Sequence, residues 1–288
     1  MFKELVMAMA ERSQNSLTAE EGDYIDPETG LLMCGKCRTP RQCRVKGMDF
    51  TPTVLCKCRK EEEAKREERE RESERRRRAE ELKDECFSSK RLRAMTFEAD
   101  SEPAREESVI CRRYADEFAE NYKRGRGLIL SGPVGTGKSF LAACVCNRVT
   151  DQCRTALFTN LSDIAPLAVS VNAFERERAK DILGRYALIV FDDFGAERAS
   201  DYMKEGIQRA VSMRYDAGKP MIVTTNLAAE DMKGRDLKEQ RLYSRLCETC
   251  EFVKVSGGDR RRRAAMNCAS PLEPPANRFA VRGEGGGA

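Results

Sequence analysis

"GPVGTGKS", residues 132–139, decides the fold. It lies inside "GLILSGPVGTGKSFLAACVCNRV", residues 127–149, which reads as strand, loop and helix. Glycines let backbone N–H groups converge on one anion without Cβ clashes, and the following helix points its positive end at the same charge. The spacing Gly132-x4-Gly137-Lys138-Ser139 is therefore a phosphate loop. Gly132, Pro133, Val134, Gly135, Thr136, Gly137, Lys138, Ser139 and Phe140 are the expected nucleotide contacts. Lys138 is assigned to the β/γ-phosphates and Ser139 to Mg²⁺.

Three later stretches fit around that loop. "ALIVFDD", residues 187–193, is an apolar strand that ends in paired carboxylates. Asp192 is positioned to orient Mg²⁺, and Asp193 to orient or deprotonate the attacking water. Many ATPases place the longer Glu at this second position. "MIVTTN", residues 221–226, is a third strand, and Asn226 at its end reads as a sensor of the γ-phosphate or of that water. No Asn-Lys-x-Asp guanine signature follows it, which favours ATP over GTP. "EQRLYSRLCETC", residues 239–250, predicts a helix carrying Arg241 and Arg245. An arginine brought to developing phosphoryl charge raises turnover by orders of magnitude. Arg245 is the candidate acting on a neighbour's nucleotide, and Arg261, in "SGGDRRRRAA", the candidate within the same subunit. The run Arg260–Arg263 also reads as a solvated basic helix start or a general phosphate-backbone patch.

The 288 residues divide by composition. Residues 1–23 read as a flexible lead, 24–58 as a cysteine module, 59–85 as a charged helical linker, 86–266 as an α/β ATPase domain and 267–288 as a disordered tail rich in Pro and Gly. The run "KEEEAKREERERESERRRRAEELK" has opposite charges three and four residues apart, each pair worth about 0.2–0.5 kcal/mol to a helix. It predicts a solvated helix roughly 36 Å long, with a disordered charged linker as the alternative. It has no sustained apolar seam for a coiled coil. Net charge is only +4, and no apolar run approaches the roughly 18–20 residues of a membrane span. The start, "MFKELVMAMAERSQ", lacks a basic leader, so a cytoplasmic protein is expected.

With thirteen cysteines and no histidine, any structural zinc must be held mainly by thiolates. Cys34-x2-Cys37 and Cys56-x-Cys58 form two close pairs, and four soft ligands suit Zn²⁺. A module of about 35 residues is too short to fold securely on an apolar core, and a metal would supply the missing stabilisation. Scattered reduced thiols are the alternative, and Cys43 is either a spare or a replacement ligand. Cys144, Cys146, Cys247 and Cys250 read as core or inert thiols.

The order "GPVGTGKS", "LIVFDDFGAER", "IVTTN", "RLYSRL", "GGDRRRRAA" resembles the bacterial replicative helicase-loader ATPases of the DnaC/DnaI type and their phage relatives. The resemblance covers most of residues 86–266 and extends to "CGKC…CKC". It implies an AAA+ P-loop ATPase whose parallel sheet, in the order 5-1-4-3-2, is flanked by helices. It also implies an amino-terminal zinc domain that grips a hexameric DnaB-type helicase, and an ATPase domain that binds single-stranded DNA and assembles side by side. By the same resemblance Arg245 completes a neighbour's site, and Arg261 falls at the second-sensor position, where Arg260 and Arg262 are alternatives. Single-stranded DNA needs cations for the backbone and a flat ring for the bases. Phe174, with Arg176, Arg178 and Lys180, offers both, although Phe174 reads equally as the core face of a helix. The alternatives to an ATP-dependent loader are a transposition helper of the IstB type and a non-hydrolysing adaptor switched by ATP.

Overall fold

The computed structural model describes residues 19–46, 51–195, 200–234 and 236–258. It divides into two compact units, Met1–Arg77 and Arg78–Ala288. The expected tail at 267–288 and Arg260–Arg263 lie outside the described residues.

In the first unit, strands β1 (Tyr24–Ile25) and β2 (Leu32–Met33) pair antiparallel, Tyr24 opposite Met33. The Asp26 carboxylate accepts from the Thr29 N–H at 3.1 Å and closes the turn between them. Asp23, placed in the lead by composition, accepts from the N–H groups of Gly35 and Glu20 and pairs with Arg41, so the folded module begins before Tyr24. Gly35 lies so near the carbonyl of Gly22 that a Cβ would sit 2.2 Å from it. Only glycine lets the backbone curl there between the first two cysteines.

The charged run forms one helix, Lys57–Cys86, laced by pairs such as Arg76–Glu72 at 2.7 Å. The boundary between the units falls within it. The expectation of a fully solvated helix fails for its last turns. Ala79, Leu82 and Cys86 are buried, and Lys83 pairs with Asp151 at 2.7 Å. These three positions share one face of a 3.6-residue period.

The second unit is built on five parallel strands: β3 (Gly127–Ser131), β4 (Ala156–Asn160), β5 (Leu188–Phe194), β6 (Met221–Thr225) and β7 (Cys250–Lys254). They lie in the order β4-β5-β6-β3-β7. Counted from the phosphate-loop strand and read from the β7 edge, this is 5-1-4-3-2, as the resemblance implied. Strand alternation splits the core between two faces. Leu128 and Leu130 pack with helices Glu106–Asp116 and Lys138–Asp151, whereas Ile129 packs with helices Leu161–Val169, Ala173–Arg185, Asp201–Asp216 and Leu237–Thr249. No described helix is long and apolar enough to cross a membrane.

Arg214, on helix Asp201–Asp216, is fully buried and bonds only backbone carbonyls: Leu183, Tyr186, Ala187 and Pro220, at 2.6–3.2 Å. Burial pulls its guanidinium down to about 10. It closes the end of one helix and the entry to β6 with a single side chain. Replacing it, Arg214→Met, leaves four carbonyls without a donor. Chemical denaturation should show a loss of roughly 3 kcal/mol or more, with an unchanged denaturant slope. A loss below about 1 kcal/mol would show that water satisfies these carbonyls.

Candidate nucleotide site and cysteine cluster

A parallel sheet gathers its functional groups at the carboxyl ends of its strands. Here β5, β6 and β3 are neighbours, so their ends deliver Asp192, Asn226 and the phosphate loop side by side. The loop turns through Gly135 and Gly137, whose φ values of 86° and 105° suit glycine. Gly137 caps helix Lys138–Asp151, and the Thr136 hydroxyl donates to the Pro133 carbonyl at 2.9 Å. Lys138, nearly buried, donates to the carbonyls of Gly132 (2.8 Å) and Pro133 (2.9 Å) and to Asn226 Oδ1 (2.7 Å).

Asp192 accepts from the Thr224 hydroxyl at 2.6 Å, and the Ser139 hydroxyl is close enough to help hold its carboxyl down. Burial nevertheless raises its carboxyl above the usual range. The pair Ser139–Asp192 is an oxygen donor set of the kind that holds a nucleotide-bound Mg²⁺. The next residue, Asp193, is exposed, with φ of 57°. A non-glycine residue in this region stores about 1–3 kcal/mol. Strand pairing is regular to Phe191↔Val223, then resumes at Phe194↔Thr225, so Asp192 and Asp193 form a bulge opposite Thr224. Beyond Asp193 opens a groove of about 1470 Å³, lined by Asp201, Lys204, Asp231 and Asp236 among others.

The arginine and DNA candidates fall elsewhere. Arg245 donates to the Ser212 hydroxyl, and its guanidinium lies 5.4 Å from the centre of the Tyr215 ring. Arg241 is exposed on the same helix. Arg261 lies outside the described residues. Phe174 is 75% exposed, so the reading of it as a core residue does not hold. Its neighbour Val171 is 99% exposed. Arg176 is occupied in holding that turn, donating to the carbonyls of Ser170 and Val171, whereas Arg178 is exposed.

In the first unit the Sγ atoms of Cys34, Cys37, Cys56 and Cys58 all lie within 4.8 Å of one another. Cys34–Cys58 is 3.6 Å and Cys56–Cys58 is 3.3 Å. A Zn–S bond of about 2.3 Å gives tetrahedral edges of about 3.8 Å, so the donor set fits zinc. Cys43 is not part of the cluster. Thr39, 3.0 Å from Cys37, draws that thiol down to about 5, and the Cys37 N–H lowers Cys34. Cys58, hydrogen-bonded by Cys56, is pushed up to about 12. Cys144, Cys146 and Cys250 are buried, and burial raises each. Cys247 is exposed.

A family model described as IstB-like ATP binding protein matches residues 48–268. The chain is 30% identical over 124 residues to the replicative helicase loader DnaC of Escherichia coli (strain K12), spanning 42% of this chain and 49% of that protein. It is 21% identical over 176 residues to the replicative helicase loader DnaI of Bacillus subtilis (strain 168), spanning 56% of each. The chain thus spans about half the length of the curated relatives it matches. A DnaI crystal structure superposes with a TM-score of 0.51 at 19% identity, over 62% of this chain and 99% of that one. The folds agree.

Because the folded protein raises the Asp192 pKa, its ionisation opposes folding once pH exceeds the unfolded carboxyl value. Asp192→Asn should therefore raise the Tm of the nucleotide-free protein near pH 7.5. The gain should vanish as pH falls below that unfolded value. An equal gain at low pH would assign the effect to packing instead.

Proposed function

We propose that the chain, which belongs to the IstB-like ATP binding protein family, is an ATP-dependent loader of a hexameric, DnaB-type replicative helicase onto single-stranded DNA. The observation that carries the nucleotide part is the meeting of Lys138, Asn226 and the Ser139–Asp192 pair at one sheet edge. Lys138 would exchange its carbonyl partners for the β/γ-phosphates. Ser139 and Asp192 would hold Mg²⁺, Asp193 would orient the water, and Asn226 would report the γ-phosphate through its bond to Lys138. Arg245 would complete the site of an adjoining subunit and Arg261 that of its own. Turnover would then be slow until subunits assemble.

The loader reading draws on homology to two replicative helicase loaders and on the thiol cluster. Zinc held by Cys34, Cys37, Cys56 and Cys58 would shape the module that grips the helicase. Phe174 and Arg178, exposed together on one helix, suit a base and a phosphate of single-stranded DNA. ATP binding would favour assembly and DNA capture, and hydrolysis would release the loader. The second reading is a transposition helper of the IstB type, the type that the family's description names.

The deciding experiment mixes the purified chain with a ring helicase and a closed single-stranded circle. Loading should require ATP, and Lys138→Ala should weaken nucleotide binding about a hundredfold. Arg245→Ala subunits, doped into wild type, should depress turnover beyond simple dilution. Capture of a transposase rather than a helicase would favour the second reading, and ATP-dependent loading without turnover would favour a switched adaptor.

Metal analysis provides a separate check. One zinc per chain is expected, and Cys56→Ser should release it and abolish helicase capture while nucleotide affinity stays within about twofold. Full capture by metal-free protein would remove zinc from the proposal.

A further inference from the structure

Thr224 is fully buried on β6, between the two acidic residues and the core. Its hydroxyl has one proton and accepting lone pairs. The proton goes to Asp192 Oδ1 at 2.6 Å. A lone pair accepts the backbone N–H of Asp193 at 3.0 Å. That N–H belongs to the bulge, where β5 and β6 lose register and no ladder partner is at hand. One hydroxyl thus fixes the carboxylate of the first acid and the backbone of the second. The adjacent Thr225 secures the far side of the bulge, donating to the Phe194 carbonyl at 2.8 Å and accepting from the Leu227 N–H at 3.1 Å.

We infer that Thr224 is a positioning residue of the nucleotide site, setting Asp192 for the magnesium ion and Asp193 for the water with one side chain. The inference rests on the reading of this site as an Mg²⁺–ATP site. The Asp192 carboxylate lies between Thr224, which donates to Oδ1, and the neighbouring Ser139. With Thr224 holding one oxygen, the carboxylate is fixed in the orientation that faces the phosphate loop. Without that bond it is free to turn, and Asp193 loses the acceptor that holds its left-handed backbone.

Thr224→Val keeps the shape and removes the hydroxyl, and Thr224→Ser keeps the hydroxyl and removes a methyl. Binding of a fluorescent ATP analogue would be measured in EDTA and across a Mg²⁺ titration, followed by turnover of the assembled protein. In Thr224→Val, affinity in EDTA should stay within about twofold, whereas the Mg²⁺ needed for half-saturation should rise roughly tenfold. kcat should fall at least roughly tenfold with little change in KM at saturating Mg²⁺. Thr224→Ser should restore both to within about threefold. A wild-type Mg²⁺ requirement in Thr224→Val overturns the inference, as does a Thr224→Ser protein as impaired as the valine variant. If the valine variant does not fold, Thr224→Ala is held to the same criteria. A wild-type protein that binds Mg²⁺–ATP but never hydrolyses it would remove the hydrolytic role while leaving the Mg²⁺ titration to judge Thr224. Failure of the wild type to bind ATP at all would sink the site reading itself, a different result from either.

Discussion

The contact between Lys138 and Asn226 sets the terms for the rest of the second unit. It joins the first residue of the phosphate-loop helix to the residue after β6 across neighbouring strands. An ammonium group that deep within the protein needs several oxygens around it, and it finds three. Two of them, the carbonyls of Gly132 and Pro133, belong to its own loop; the third, from Asn226, is at hand because β3 and β6 are adjacent and parallel, with the acidic strand on the far side of β6. A different strand order would cost the lysine that side-chain partner. The contact thus ties the loop to the sheet topology.

The same edge shows how the acidic tip is held against its own preferences. Burial disfavours the charge on Asp192, and the Thr224 hydrogen bond and the nearby Ser139 hydroxyl oppose that effect. Asp193 sits in a backbone region that residues with a Cβ avoid, and its N–H is secured by Thr224. Ser131, at the end of β3, donates to the Leu227 carbonyl, and Leu227 in turn bonds Thr225. Short hydroxyl side chains therefore run from β3 to the acidic strand β5 and cross β6 between them. Such a polar network is rigid when every member is satisfied.

Much of this was legible in residue order. The three strands and the loop followed from apolar runs that end beside Gly, Asp or Asn, and the order of the strands in the sheet from the family resemblance. The network of hydroxyls was not legible. "TTN" reads as a β-branched strand end, and nothing in it says that a bulge in another strand will aim Asp193 at Thr224. The buried turns of the charged helix were missed for a related reason. Ala79, Leu82 and Cys86 are too few to raise an amphipathic signal in so charged a run, yet they fall on one face. Phe174 failed in the other direction: spacing that suits a core position sits in a first helical turn, where no neighbouring element covers it. Pattern identifies which residues share a face; whether another element covers that face depends on packing between distant segments.

The first unit poses the opposite problem, a fold with almost nothing to bury. Among its described residues, only Cys34, Cys56 and Arg41 are buried. Two of these three belong to the thiol cluster, so the centre of the module is the cluster itself. A two-stranded hairpin of this size is marginal in water without further support. Arg41 and Asp23 tie the start of the module to its middle, but an ion pair contributes little unless its surroundings are already fixed. Thr39 links both halves, bonding the Cys37 thiol and the Lys57 N–H that starts the charged helix. Four thiols this close cannot all lose protons without a cation among them: Thr39 draws Cys37 down, while Cys56 pushes Cys58 up. A divalent soft cation would remove that conflict and supply the cohesion that apolar burial does not, so for this unit folding and metal binding would be one equilibrium.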